Sequence, residues 1–156
     1  GGVGATLRAL KEFVRRHEKG HESLPDGILA AVDANCHGYS GRQKEVMESV
    51  GDLAQFVIPA IPDPHIERWL LLDAEAFRTV LGRGCQAPDA KCEKDRYKML
   101  LAQAVADTGV SPLLGGVEYA EDLAKEIDPQ IAADRDDSFA KFLGAYRGWI
   151  NRMKQI

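Results

Sequence analysis

What this chain lacks narrows it first. No apolar run approaches the ~20 residues that a bilayer-spanning helix needs, so the 156 residues offer no membrane span. No charge of one sign dominates: 20 Lys and Arg stand against 24 Asp and Glu, for a net charge of −4. That balance argues against a protein that coats nucleic acid through a global basic field, and leaves a local basic patch as the electrostatic route to a phosphate backbone. Cysteine is scarce. Cys36, Cys85 and Cys92 are odd in number and form no CxxC pair, which speaks against a disulfide framework and for a reducing, cytoplasmic setting. No secretory leader is visible, since the chain opens Gly1-Gly2-Val3-Gly4 and runs directly into an amphipathic segment. The missing Met leaves open what precedes Gly1. There is no internal repeat and no low-complexity tract.

What is present suits one domain: 45% apolar and 28% charged residues are ordinary for a globular protein. Val3, Leu7, Leu10, Phe13 and Val14 recur at helical spacing and predict a helix over 3–18. Gly20 and Pro25-Asp26-Gly27 break the chain. The uncharged run Ile28 to Val32 then reads as a central strand of a parallel sheet over 27–33. Ser40 is a candidate N-cap for a helix at about 41–51. A second buried strand is expected over 55–61, with Pro59 marking its end or an edge position. Asp63 and Pro64 predict a helix start, as N-cap and first helical residue, for a helix running to about 72. The second half reads as helices over 73–81, 94–107, 116–127 and 138–153. Two strands are too few to stand alone. Either further strands lie unread in the sequence, or upstream residues supply them.

Chemistry concentrates where the first strand ends. Asp33 and Asn35 stand two residues apart across a turn, at the edge where open α/β sheets bind ligands. Asp63 and Glu67 follow the second strand, one helical turn apart. If the strands are parallel neighbours, these groups converge as an oxygen-only site suited to Mg²⁺ or Mn²⁺. The plain alternative is that Asp33 and Asp63 are caps and Glu67 is solvated. His65, between Asp63 and Glu67, is a candidate base or phosphate contact, though a lone His is more often a surface group. Arg42 and Lys94, with Lys44, Lys91, Arg96 and Lys98 near them, are candidates to hold phosphate, against the commoner reading of solvated helix faces. Zinc through Cys36, His37, Cys85 and Cys92 lacks the usual spacing. The opening Gly1-Gly2-Val3-Gly4-Ala5-Thr6 is similar to the glycine loop of deviant P-loop ATPases, but no Lys stands near its end and no strand precedes it.

Two runs carry a family resemblance: Leu24-Pro-Asp-Gly-Ile-Leu-Ala-Ala-Val-Asp-Ala-Asn-Cys-His-Gly-Tyr39, and Ile58-Pro-Ala-Ile-Pro-Asp-Pro-His-Ile-Glu-Arg-Trp-Leu-Leu-Leu-Asp73. Together they resemble toprim-like proteins of bacteria, over residues 24–73. The nearest group carries a Pro-x-x-Glu-x-Trp-Leu segment, and the toprim half of the overcoming-lysogenisation-defect nucleases is a more distant likeness. The resemblance implies an α/β fold: a toprim-like parallel sheet with flanking helices over 1–73, and a helical C-terminal extension over 74–156 packed on the same core. It implies Mg²⁺ at Asp33, with Asn35 standing where the family has a second Asp, and Glu67 matching a helix carboxylate. The family's first-strand Glu has no counterpart here. The function so implied is metal-dependent phosphodiester cleavage on nucleic acid, in bacterial defence, with Asp33 and Glu67 as the catalytic pair. The alternative is a degenerate, non-enzymatic toprim-like module that binds a protein partner, which the Asn at position 35 and the missing Glu favour.

Overall fold

The computed structural model describes residues 2–155. The first helix, α1 (Val3–Glu18), spans the predicted range. Its apolar stripe meets β1 (Ile28–Ala31) and α2 (Tyr39–Val50), so that Leu10, Ala30, Val32, Val46, Val50, Val57 and Ile61 form one core cluster with Val3, Leu7 and Val14 packed against it. A 3-10 turn over Gly51–Phe56 takes the first residues expected of the second strand and leaves β2 as Val57–Ala60. β1 and β2 are parallel, with Ile28 opposite Val57 and Ala31 opposite Ala60. Parallel neighbours cannot be joined by a tight turn, and α2 makes the crossover between them. The molecule is thus helix-rich with a small parallel sheet, an α/β arrangement.

Among the described residues the sheet stops at two strands. β1 is therefore not the central strand that its apolar run suggested. Leu29 is 58% exposed and Ala31 is exposed too. The hydrogen bond from the Val32 amide to the Ala60 carbonyl (3.0 Å) fixes which backbone groups face inward. Ala30 and Val32 turn theirs toward β2, and by alternation Leu29 and Ala31 turn theirs away. On β2 the same alternation points Ile58 and Ala60 at β1 and Pro59 outward. Pro59 thus occupies the position where a missing N–H costs no ladder bond. Both faces of β2 are covered, and all four of its residues are buried.

The remaining elements are α3 (Ile66–Leu70), α4 (Ala74–Leu81), α5 (Arg96–Ala106), α6 (Ala120–Glu126), α7 (Pro129–Arg135) and α8 (Asp137–Met153). A 3-10 turn, Val117–Tyr119, leads into α6. Leu70 and Leu71 join Phe77, Leu101, Val105 and Leu123 in a second core cluster, while Trp69, Leu72, Ala60 and Ala132 form a third. Helix α8 lies along β2 with an aromatic row. Trp69, Phe139, Phe142, Tyr146 and Trp149 follow one another with ring centroids 5.0 to 6.0 Å apart. No described helix is long and apolar enough to cross a membrane.

Three local expectations are corrected. The helix predicted to start at Asp63-Pro64 starts at Ile66 with His65 as N-cap, and the Asp63–Pro64 peptide is cis. Helix α7 was not expected at all, although Asp128 caps it and Pro129 is its first residue. Finally, Cys36 and Cys92 are bonded as a disulfide across 56 residues, leaving Cys85 as the free cysteine. The odd cysteine count without a framework pattern did not exclude a single disulfide, and the cytoplasmic setting inferred from it loses that support.

Candidate functional site at the sheet edge

Just past β1 the chain stays pinned to the second strand's continuation. The Ala34 amide donates to the Pro62 carbonyl (2.9 Å), and the Asn35 amide to the Pro64 carbonyl (3.0 Å). Asn35 and Cys36 both adopt positive φ, 48° and 62°. That left-handed region costs a non-glycine residue ~1 kcal/mol or more, though Asn tolerates it best. The turn delivers Asp33 to the N-terminus of α3, where its Oδ1 accepts the Ile66 amide at 3.0 Å. His65 Nδ1 lies 3.7 Å from the other carboxylate oxygen. Asp33 therefore does the capping that the sequence assigned to Asp63.

Asp63 is committed elsewhere. Its Oδ2 accepts the Tyr39 amide at 2.9 Å, supplying across space the cap that α2 lacks in its own sequence. Its own amide donates to Ser138 Oγ at 3.1 Å, and the same hydroxyl accepts the Trp69 indole N–H at 2.9 Å. Asp63 is thus not directed at Asp33, and the expected fourfold convergence reduces to fewer groups.

Glu67 belongs to the site in an unexpected way. It is only 6% exposed rather than solvated, and its Oε2 is buried with no hydrogen-bond partner among the described residues. A carboxylate oxygen taken out of water without a partner is costly. Its charge is felt at Asp33. Burial pushes the Asp33 carboxyl above the usual range; the Ile66 amide and His65 pull it down, and the Glu67 charge adds to the rise. Asn35 is exposed at the rim. A cleft of about 330 Å³ runs along this edge between Val3 and Thr6 on one side and Asp33, Asn35 and Ile66 on the other. The glycine-led opening of the chain therefore forms a cleft wall.

The two residues expected to hold phosphate differ sharply. Arg42 is buried, its guanidinium donating to the Ala34 carbonyl at 3.1 Å and pairing with Glu45, so it is a brace under the turn. Lys94 is exposed. Arg96 is engaged by Asp89 and Glu93. Cys85 is half-buried and burial raises its thiol to about 11, which leaves it unreactive at neutral pH.

Sequence reasoning missed the Asp33–His65 contact and the burial of Glu67. The signal for the first was the N-cap preference of Asp; nothing local signalled the second. No group of three or more His, Cys, Asp or Glu side chains among the described residues is arranged to hold a metal ion. What remains is two carboxylates whose charges are felt by one another: Asp33, which lines the cleft, and Glu67, which is buried and does not line it. A pair fits Mg²⁺, which typically keeps several waters and takes one or two protein carboxylates plus a substrate phosphate. Comparison with known proteins gives no match among protein-family models, among curated proteins or among solved structures.

Proposed function

We propose that this chain is a toprim-like, metal-dependent phosphodiester-cleaving protein acting on nucleic acid, with Asp33 and Glu67 as its metal-holding carboxylates and Asn35 at the rim. The observation that carries the reading is the buried, unpartnered Oε2 of Glu67 beside a second carboxylate whose protonation is favoured by burial and by that neighbour's charge. Two like charges at a partly dry sheet edge are more favourable with a cation between them than without one. A divalent ion held there would polarise a phosphate ester and lower the pKa of a bound water.

The chain's own groups have definable tasks in this reading. The Ile66 amide fixes one oxygen of Asp33 and leaves the other free to ligate. His65, 3.7 Å from that second oxygen, is placed to orient it or to pass a proton. Lys94 is the candidate cation toward a phosphate backbone. Arg42 has no such role, because it is spent on Ala34 and Glu45.

The second reading, a non-enzymatic module that binds a protein partner, is favoured in the structure by the exposed residues Leu29 and Ala31 of β1, beside the Asn at position 35. Calorimetric titration of Mn²⁺ and Mg²⁺ into wild type and Asp33→Ala separates the two. Binding that the substitution removes, followed by cleavage of single- or double-stranded DNA or RNA that needs Asp33, supports the enzyme. No binding at millimolar metal favours the partner module.

A further inference from the structure

The disulfide lies at the same edge. Cys36 is the second of the two left-handed residues that follow β1, and Cys92 belongs to the segment between α4 and α5 that has no helix or strand. Upstream of Cys92 that segment is well anchored. The Asp89 carbonyl accepts Arg68 Nε at 3.0 Å and the Tyr97 hydroxyl at 2.8 Å, and the Lys91 amide donates to the same hydroxyl at 2.9 Å. From Cys92 to Asp95 every residue is exposed. Ala90, Lys91 and Cys92 also line a second cleft of about 460 Å³, together with Asp63, Arg68, Asp136, Ser138 and Lys141. One covalent bond therefore ties an unfavourable backbone turn to a cleft wall, and both of its cysteines are at the surface.

We propose that Cys36–Cys92 is a thiol-operated clamp. Closed, it holds the Asn35–Cys36 turn in its left-handed form and fixes the 92–95 segment. Reduced, it lets both relax, which loosens the rim of the sheet-edge site and opens the neighbouring cleft. The chemistry is exchange with a small-molecule thiol. Its thiolate attacks one sulfur, the S–S bond breaks and the other cysteine leaves as thiolate; a second equivalent of thiol releases the first cysteine, giving two cysteine thiols and the reductant's disulfide. The clamp stands on the disulfide's position alone, and only its effect on metal affinity rests on the Asp33–Glu67 reading.

The test is limited trypsin digestion of the full chain, oxidised and after dithiothreitol, read at Lys91 and Lys94 by mass spectrometry, with free thiols counted on the same samples. The oxidised protein should carry one titratable thiol when denatured, and reduction should speed cleavage at Lys94 by about tenfold, since proteolysis follows the population of opened states. Cys92→Ser should cleave at the fast rate with or without dithiothreitol, and Cys85→Ser should follow wild type. Three titratable thiols without reductant, or equal cleavage rates in the two forms, would overturn the clamp. Mn²⁺ titration of both forms separates the two ideas: a cleavage difference without Mn²⁺ binding supports the clamp and removes the metal site.

Discussion

Two buried carboxylates, Glu67 within α3 and Asp73 capping α4, are used in different ways. Asp73 is 4% exposed and fully used: Oδ1 accepts the amides of Glu75 and Ala76, and Oδ2 accepts the Asp128 amide at 3.0 Å. It caps α4 and ties it to the start of α7. Burial alone would raise its carboxyl, but those amides and Arg135 outweigh it and hold it below the usual range. Glu67 is 6% exposed and leaves Oε2 unpartnered. Asp73 spends its charge on backbone amides; Glu67 keeps one oxygen without a hydrogen bond, as do Asp136, which pairs with Arg68, and Glu118 among the described residues. Unneutralised buried charge costs stability and is typical of sites that act on something else.

That contrast can be broken in several ways. The largest effect is expected in the helical part. Phe77 is fully buried in its cluster, and Phe77→Ala should cost ~3–5 kcal/mol of unfolding free energy, read from the denaturant midpoint, with Mn²⁺ binding at the sheet edge retained in whatever stays folded. Next, Asp73→Ala should cost ~1–3 kcal/mol through the lost cap and the stranded Asp128 amide. The sign with pH follows from its lowered carboxyl: its contribution is present above the unfolded value of about 4 and fades as pH falls through the folded one. Wild type and variant should therefore converge in acid, and a gap that persists at low pH would show that the carboxylate charge is not what matters.

Asp33 at the sheet edge should behave oppositely. Asp33 is raised in the folded state, so its charge opposes folding above the folded value and acidification relieves that cost. Asp33→Asn keeps an acceptor for the Ile66 amide, and should leave stability unchanged or raise it by up to ~1 kcal/mol at neutral pH, partial exposure screening the rest. Glu67→Gln removes a carboxylate whose buried Oε2 has no hydrogen-bond partner and should cost little stability, and either change should weaken Mn²⁺ binding by about tenfold or more, as loss of one of few ligands does. A marked loss of stability in both would make them structural and erase the contrast. The smallest effect belongs to Leu29→Thr, which should stay within ~0.5 kcal/mol because the side chain is exposed. A larger loss, measured by chemical denaturation, would mean that β1 is covered in solution.

The legible parts of the fold were those governed by local spacing. Helix α1 was readable because Val3, Leu7, Leu10 and Val14 repeat at helical intervals, and the helix expected over 73–81 is present, with Asp73 as its N-cap and not its first residue. Asp-Pro shows the limit of such rules. The same pair opens α7 at Asp128-Pro129 but fails at Asp63-Pro64. There Tyr39 and Ser138, far along the chain, claim the Asp63 carboxylate and amide. Of the candidate site, Asp33 was found for its position past a strand. Arg42 was misread because nothing in its neighbourhood announces that its guanidinium is buried under Ala34, and the Cys36–Cys92 pairing joins positions with no local relationship.

Pro59 has a consequence for assembly. Among the described residues, the outer border of β2 offers no donor at Pro59 and its residues are buried, so β1 is the border better suited to take an added strand. Two copies that met through β1 would use up the open border of each. Association of that kind would end at a pair, because each copy's open border would then be occupied.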